Sequence, residues 1–211
     1  MTDWLIGLTI LVPWIGALAV WLTGDDRAAL QHRLAVVFSV AAGVCALLLL
    51  PSYDSAPALS IEVGSVFGTF TFVPDGLGVF LTAVATVVGS LAVIFSVDYM
   101  RGEQSLGRYY ALVLFFIGAM VGLVLSGSLF LMFVFWEITA LCSYALISFY
   151  NDDPAAVAGG LRALIITQLG GLGLLAGALV TYAYFGDTQI STFLENAGTL
   201  PSGMLAVMAF G

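Results

Sequence analysis

Glu137 is a carboxylate in the middle of an apolar segment, LFLMFVFWEITALCSYALISFY, that runs from residue 129 to residue 150. An α-helix rises about 1.5 Å per residue, so roughly 20 apolar residues cross the hydrocarbon core of a membrane. This segment is long enough to span it. An ionisable group at that depth is costly and usually faces a protein interior or a water-filled path, where it takes part in ion transfer. Glu137 is therefore a candidate proton or ion site.

Tyr144 and Ser148 share one side of this predicted helix with Glu137. Their spacing of seven and eleven residues from the acid places all three polar groups on one stripe of a helix. The pattern indicates a polar path along the helix interior. The alternative is that a protonated Glu137 only hydrogen-bonds to a neighbouring helix and stabilises packing.

The composition is that of an integral membrane protein. The 211 residues are 61% hydrophobic and 9% charged, with a mean hydropathy of +1.10, values that soluble globular domains do not reach. The net charge is −8, and the acids lie mostly in loops, which argues against a nucleic-acid partner.

The residues of common enzyme and metal sites are missing. The single histidine, His32, is predicted to be a solvated residue in a loop, and Cys45 and Cys142 are predicted to pack inside spans. No Ser/His/Asp or Cys/His set can be assembled from these residues. The sequence therefore predicts neither an enzyme active site nor a bound metal or cofactor.

The apolar segments predict an all-α membrane protein with six spans and the start of a seventh, in a single membrane domain over residues 1–211. The first span is expected to remain as an anchor, because Asp3 stands where a cleavable signal peptide needs basic residues. The spans are predicted at residues 4–22, 34–50, 76–98, 109–126, 129–150 and 161–185, with the seventh at 202–211.

The arginines predict the orientation of these spans. Because cytoplasmic loops collect positive charge, the side that carries the arginines is expected to be inside, and the N-terminus outside. All five basic residues fall in the first, third and fifth connections or next to them: Arg27, Arg33, Arg101, Arg108 and Arg162. The localisation predicted from this pattern is a multi-pass protein of the cell membrane.

Two outer and interfacial features are also predicted. Residues 60–73, SIEVGSVFGTFTFV, are typical of a short β-hairpin, which either docks a partner or folds onto the helix ends. Asp75 follows it as the expected N-cap of the third span. The tyrosines at residues 109, 110, 150, 182 and 184 are predicted to be anchors at the membrane interface.

Arg162, at the predicted start of the sixth span, has two open interpretations. It could approach Glu137 across the helix pair and stabilise the ionised carboxylate, or it could extend to the membrane interface as an isolated basic residue.

The segment from Arg108 to Gly177 resembles the antiporter-like, proton-translocating subunits that Mrp-type sodium/proton antiporters and respiratory complex I share. The most specific part is the pattern WE-x-x-x-x-x-SY-x-LI, which begins at Trp136. The later pattern ALIIT-x-x-GGL-x-LLAG is more similar to the large A subunit of the Mrp antiporters. The resemblance extends upstream through Asp75 and the sequence Asp98-Tyr99-Met100.

The resemblance implies a fold, a function and a role for two residues. The chain is expected to be the N-terminal part of a fourteen-helix fold built from two inverted repeats, and a subunit of a multisubunit Na⁺/H⁺ antiporter. Glu137 matches the membrane-embedded glutamate of the fifth helix, which in the family pairs with a lysine on the seventh helix and takes part in proton transfer or in its electrostatic control. Arg162 lies near a sixth-helix lysine of many relatives, and arginine cannot release a proton at ordinary pH.

The sequence has no lysine, so the resemblance implies that the seventh-helix lysine lies outside it. The expected partners are other antiporter subunits or the remaining half of the same subunit, with protons, Na⁺ and the lipid bilayer. Three alternatives remain open: a proton-pumping subunit of an NADH or ferredoxin dehydrogenase or membrane hydrogenase, a subunit for proton-coupled uptake of inorganic carbon, and a scaffold that conducts nothing.

Overall fold

Six long helices dominate the structure, a computed structural model that describes residues 2–53, 58–62 and 69–199 together with Pro201 and Gly203. Within these residues, six helices are long and apolar enough to cross a membrane. They are α1 (Thr2–Leu22), α2 (Ala28–Leu49), α3 (Gly76–Tyr99), α4 (Leu106–Val124), α5 (Leu129–Ile147) and α6 (Pro154–Phe185). The prediction of six spans is confirmed.

Four helix boundaries differ from the predicted ones by three residues or more, and one of them is the start of α4, at Leu106 and not at residue 109. Helix α2 begins at Ala28, because the polar residues 31–33 continue the helix ahead of its apolar segment, and α6 begins at Pro154, directly after its N-cap Asp153. Helix α5 ends at Ile147, before the predicted end at residue 150. A short helix that the sequence analysis did not predict, α7 (Ile190–Asn196), follows α6. The predicted seventh span lies outside the described residues except for Gly203.

The helices pack in a bundle with α6 at its edge. Helix α1 packs on α2 and α4, consecutive helices from α2 onward pack on each other, and α6 packs mainly on α5. At the contact of α1 with α4, the ring of Trp14 lies against Gly118, where a Cβ atom would have no room, and its Nε1 donates to the carbonyl of Phe115 at 3.0 Å. Helix α6 is the least buried of the six.

The buried side chains form two layers. One layer lies near the end of the bundle that carries the β-strands, and it includes Ile6, Phe72, Leu125 and Phe135. The other lies near the opposite end and includes Val20, Leu114, Tyr110 and Phe149. The polar groups of α5 lie between α5 and α6, to one side of both layers.

The arginine-bearing connections lie together at one end of the bundle, which we call the inner end. Ala28, at the start of α2, lines a cavity with the connection between α3 and α4. Arg108, near the start of α4, donates from Nη2 to the carbonyl of Phe149, just beyond α5, at 2.6 Å. All three predicted inner connections therefore meet there.

A network of backbone hydrogen bonds closes the opposite, outer end. Strands β1 (Leu59–Glu62) and β2 (Thr69–Phe72) pair antiparallel, which confirms the strands of the predicted hairpin; its turn lies outside the described residues. The turn between α4 and α5 lies against β2, because the amide of Gly127 donates to the carbonyl of Thr71 at 2.7 Å. The carbonyl of Gly127 accepts from Ile190 N at 2.9 Å. The described strands thus fold onto the helix ends, the second of the two interpretations.

The N-cap of α3 is also confirmed. Asp75 has an extended backbone, and its Oδ1 accepts from the backbone amide of Gly78 at 2.6 Å. This bond satisfies one of the amides that the first turn of a helix leaves without an intrahelical partner.

His32 and Tyr110 correct two predictions. His32 lies within α2 and not in a loop, and its Nδ1 is 2.7 Å from the hydroxyl oxygen of Tyr110. Tyr110 is fully buried and is therefore not an anchor at the membrane interface. Hydropathy alone does not reveal either feature, because the polar residues 31–33 near the start of α2 resemble a loop and a tyrosine near the end of a span resembles an interfacial anchor.

Candidate functional site

Glu137 lies near the middle of α5, on the side that faces α6. Helix α5 begins at Leu129 because Ser128 caps it, with Oγ accepting from the amide of Leu131 at 3.5 Å. The start of α5 at Leu129 determines how deep in the span Glu137 lies, because Glu137 follows it by eight residues. A candidate ion site in the interior of a helix pair is what the sequence pattern predicted.

The two oxygens of the Glu137 carboxylate have different surroundings. Oε2 accepts a hydrogen bond from the side-chain amide of Gln168 on α6 at 2.5 Å. Oε1 is buried and has no hydrogen-bond partner in the described part of the chain. One oxygen is thus held in place, and the other is free to take a proton.

Glycine on α6 makes room for this carboxylate. Gly171 lies directly against Oε1, so closely that a Cβ atom there would overlap it. The same position faces Trp136, whose Nε1 donates to the carbonyl of Thr167 at 3.4 Å. Any larger residue at position 171 would displace either the acid or the helix.

Arg162 does not approach Glu137 in this structure. Its side chain is exposed, and the one ion pair among the described residues joins Arg101 to Asp98 at 2.8 Å. This geometry fits the interfacial interpretation of Arg162. The contact with Glu137 comes from Gln168, a residue that the sequence analysis did not place in the site.

The sequence does contain a signal for Gln168. It is the one amide side chain in an otherwise apolar helix, 32 residues long, whose only charged residue is Arg162. Buried polar groups in a membrane need partners from neighbouring helices. An acid on one span and a lone amide on the next therefore predict a pair.

Ser148 and Tyr144 extend the polar stripe towards the inner end. Ser148 forms the C-cap of α5 and is buried, and its Oγ has no hydrogen-bond partner among the described residues. It packs against Gly160 of α6. Tyr144 is half-buried, and within the described residues its hydroxyl makes no hydrogen bond. Glu137 and Ser148 thus place two unpaired buried oxygens along one helix pair, about 16 Å apart along the axis.

The chain matches two family profiles. The profile described as "NADH:quinone oxidoreductase/Mrp antiporter, TM" matches residues 126–211, and that described as "NADH-Ubiquinone oxidoreductase (complex I), chain 5 N-terminus" matches residues 61–110. The first match contains Glu137 and the whole of α6, and so includes the site.

Two bacterial proteins, each named as the A1 subunit of a Na⁺/H⁺ antiporter, are similar in sequence. The protein of Staphylococcus haemolyticus is 36% identical over 135 residues, and that of Staphylococcus saprophyticus is 37% identical over 131 residues. These alignments cover 64% and 62% of this chain. The chain spans about a sixth of the length of these relatives, since the alignments cover 17% and 16% of them.

Two solved structures have the same fold. The Mrp complex from Dietzia sp. DQ12-45-1b matches with a TM-score of 0.83 and 25% identity, over 97% of this chain and 22% of that chain. An archaeal respiratory complex, the membrane-bound sulfane sulfur reductase, matches with a TM-score of 0.80 and 21% identity, over 96% of this chain and 42% of that chain. The second likeness concerns the fold alone.

The sequence matches, the bundle of membrane-spanning helices and the buried acid on α5 agree with one another. The chain is similar to the membrane subunits that NADH:quinone oxidoreductase and the Mrp antiporters share, and in particular to the N-terminal part of the large A subunit of the Na⁺/H⁺ antiporters.

Proposed function

We propose that the chain is the N-terminal part of a subunit of a multisubunit monovalent-cation (Na⁺)/H⁺ antiporter, and that it takes part in moving protons and cations across the cell membrane. It acts as a transporter and carries out no enzymatic reaction. Its N-terminus lies outside and its inner end faces the cytoplasm, as the arginines there favour.

The observation that carries this proposal is the half-buried carboxylate of Glu137, in which Oε2 is hydrogen-bonded and the buried Oε1 has no partner among the described residues. An ionised carboxylate in a medium of low polarity needs several donors or a counter-charge, and the described residues give it one amide. A further charge or water molecules are needed to hold the ionised form. Glu137 therefore interacts strongly with any charge that is brought near it, and a residue that carries protons in a coupled transporter needs this property.

The proton is held at Oε1 while Gln168 keeps Oε2 in place. The path to it from the inner end follows the contact between α5 and α6, past Ser148 and Tyr144, whose hydroxyl groups can both donate and accept a hydrogen bond. Arg162 is exposed on the inner half of α6 and stays charged at every stage of transport. It acts on this path only through its electrostatic field.

The rest of the site comes from outside these residues. Inverted-repeat transporters place their binding site between the repeats, near the middle of the membrane. Since the chain spans about a sixth of its relatives' length, the remaining part of the subunit or neighbouring antiporter subunits supply the counter-charge for Glu137 and the cation path.

The antiporter is favoured over a redox-driven proton pump by the names of the similar proteins, which are antiporter subunits at 36% and 37% identity. The likeness to a respiratory complex is weaker in sequence, at 21% identity, and concerns the fold.

The test is the variant Glu137→Gln, made in the complete complex. Glutamine keeps the size of the side chain and a hydrogen-bonding oxygen, but it cannot carry a proton. In inverted membrane vesicles, the addition of Na⁺ should no longer release protons from the lumen, measured with a fluorescent pH probe. Glu195→Gln, a change in an exposed acid of α7, is the matched control and should transport normally.

The amount of assembled complex is measured in the same membranes by native gel electrophoresis. An assembled Glu137→Gln complex without transport supports the proposal. Transport at the wild-type rate in that variant would overturn it.

A further inference from the structure

Arg108 forms part of the wall of two adjoining cavities at the inner end. One is an apolar groove of about 440 Å³ on the lipid-facing side of α1 and α4, lined by Leu18, Trp21, Leu112 and Phe115. The other is a polar pocket of about 520 Å³ between the α3–α4 connection and the residues that follow α5. A molecule that fills both must have an apolar chain and a polar end that meet at Arg108.

The guanidinium group of Arg108 is fixed in position and still has donors available. Nη2 donates to the carbonyl of Phe149 at 2.6 Å, and the group lies over the Phe149 ring, 4.9 Å from its centroid. Nη1 donates to Oδ1 of Asn151 at 2.9 Å in the amide orientation that satisfies both atoms of Asn151. A guanidinium has five N–H groups, so three remain for an anion. The residue is exposed and accessible to one.

Two carboxylates line the same polar pocket. Glu103 lies on one wall and Asp152 on the other, and both are exposed. Neither belongs to an ion pair within the described residues, where Arg101 and Asp98 form the one pair. The pocket therefore presents one positive and two negative groups, a pattern that fits a ligand with both a phosphate and a cationic group.

The polar pocket must provide the selectivity for such a ligand. Inside a membrane, an acyl chain gains little from an apolar groove, because the surrounding lipid tails are just as apolar. The groove therefore orients the molecule, and the charges at Arg108, Glu103 and Asp152 select its polar end. A purely anionic headgroup would meet two carboxylates with no cation to offer them.

We propose that this composite site binds a phospholipid with a primary ammonium headgroup, of the phosphatidylethanolamine class, in the leaflet at the inner end. The phosphate lies on Arg108, the ammonium group lies between Glu103 and Asp152, and one acyl chain lies in the groove between α1 and α4. The bound lipid joins the α3–α4 connection to the end of α5, directly beside Ser148.

The test is the lipid content of the complex purified from native membranes in a mild detergent, measured by native mass spectrometry. We expect the ratio of phosphatidylethanolamine to phosphatidylglycerol in the purified complex to be at least fivefold higher than the same ratio in the membrane. In Arg108→Gln the retained phospholipid should fall at least fivefold. Arg101→Gln removes an exposed arginine that lines neither cavity, and it should leave retention unchanged.

A second variant tests the headgroup without disturbing the contacts of Arg108. The double change Glu103→Gln and Asp152→Asn alters two exposed side chains and should reduce the preference for phosphatidylethanolamine over phosphatidylglycerol at least fivefold. A washing step with inorganic phosphate should not release the lipid, since phosphate has no chain for the groove.

Three results would overturn the proposal. They are the absence of an enriched lipid, a preference for phosphatidylglycerol or cardiolipin in the unmodified complex, and an equal loss of lipid in Arg101→Gln.

Discussion

Gly171 and its neighbour Gly170 allow a direct test of how the Glu137 site is built. At position 171 an added Cβ atom would overlap Oε1 of Glu137 and lie 3.4 Å from Trp136. At position 170 the nearest atom is on the far edge of the Trp136 ring at 3.9 Å, an ordinary contact. The two substitutions to alanine therefore differ in one respect, the space beside the carboxylate.

The expected magnitudes follow from that difference. Both changes gain about 1 kcal/mol of helix propensity. Gly171→Ala in addition crowds a packed contact, which costs about 1–3 kcal/mol. If this cost falls on the geometry of Glu137 and Gln168 during transport, the rate falls by a factor of about 5 to 150, since each 1.36 kcal/mol is tenfold. Gly170→Ala should transport at the wild-type rate.

The assay is the rate of Na⁺-driven proton release from inverted vesicles, normalised to the amount of assembled complex. Both variants are measured in the complete complex, together with Glu137→Gln. Equal rates in Gly171→Ala and Gly170→Ala would refute the close packing of α6 on the carboxylate, and with it the geometry on which the proposed site rests.

Three further predictions concern the neighbours of this site. Gln168→Leu removes the 2.5 Å hydrogen bond to Glu137, a charge-assisted bond worth about 1.5–3 kcal/mol, and should slow transport at least tenfold; an unchanged rate would contradict a positioning role. Arg162→Gln removes an exposed charge that contacts no acid among the described residues, so the rate of vesicle transport should change by less than about threefold, as expected for a surface charge. A loss of transport as large as that in Glu137→Gln would instead indicate direct pairing of Arg162 with Glu137. Tyr110→Phe breaks the 2.7 Å bond to His32 and should lower the stability against thermal unfolding by about 1 kcal/mol without slowing transport; a transport defect would assign this pair a functional role.

The spans were predictable because membrane crossing imposes a length and a polarity that a single sequence displays. Glu137 was found for the same reason: an acid in an apolar segment of 22 residues is conspicuous. The start of α6 was predicted seven residues too late, although the sequence contains a signal for it: Asp153 caps the helix, with Oδ1 accepting from the amide of Ala155 at 2.8 Å, and Pro154 follows in the first turn. An apolar window passes over that signal because it weighs hydropathy alone.

The partners of the polar groups were not predictable in the same way. Whether Glu137 meets Arg162 or Gln168 depends on the rotation of α6 about its axis, and six residues along a helix turn a side chain by about 240°. That rotation is set by the small residues at 160 and 171, which face α5. Likewise, the burial of Tyr110 depends on His32 reaching it from another helix, a contact between residues 78 positions apart.

The network at the outer end determines how α6 can move. Just beyond α6, the carbonyl of Thr188 accepts from Leu129 N at 2.9 Å, and the side chain of Gln189 donates to the carbonyl of Thr69 at 2.8 Å. The outer end of α6 is therefore fixed by these hydrogen bonds. The inner half packs mainly on α5 and has more freedom to move. Over a helix about 48 Å long, a tilt of about 5° moves the inner tip by roughly 4 Å. A tilt of this kind would widen the contact between α5 and α6 beside Ser148 far more than it would disturb the hairpin, so the two helices would separate at the inner end first.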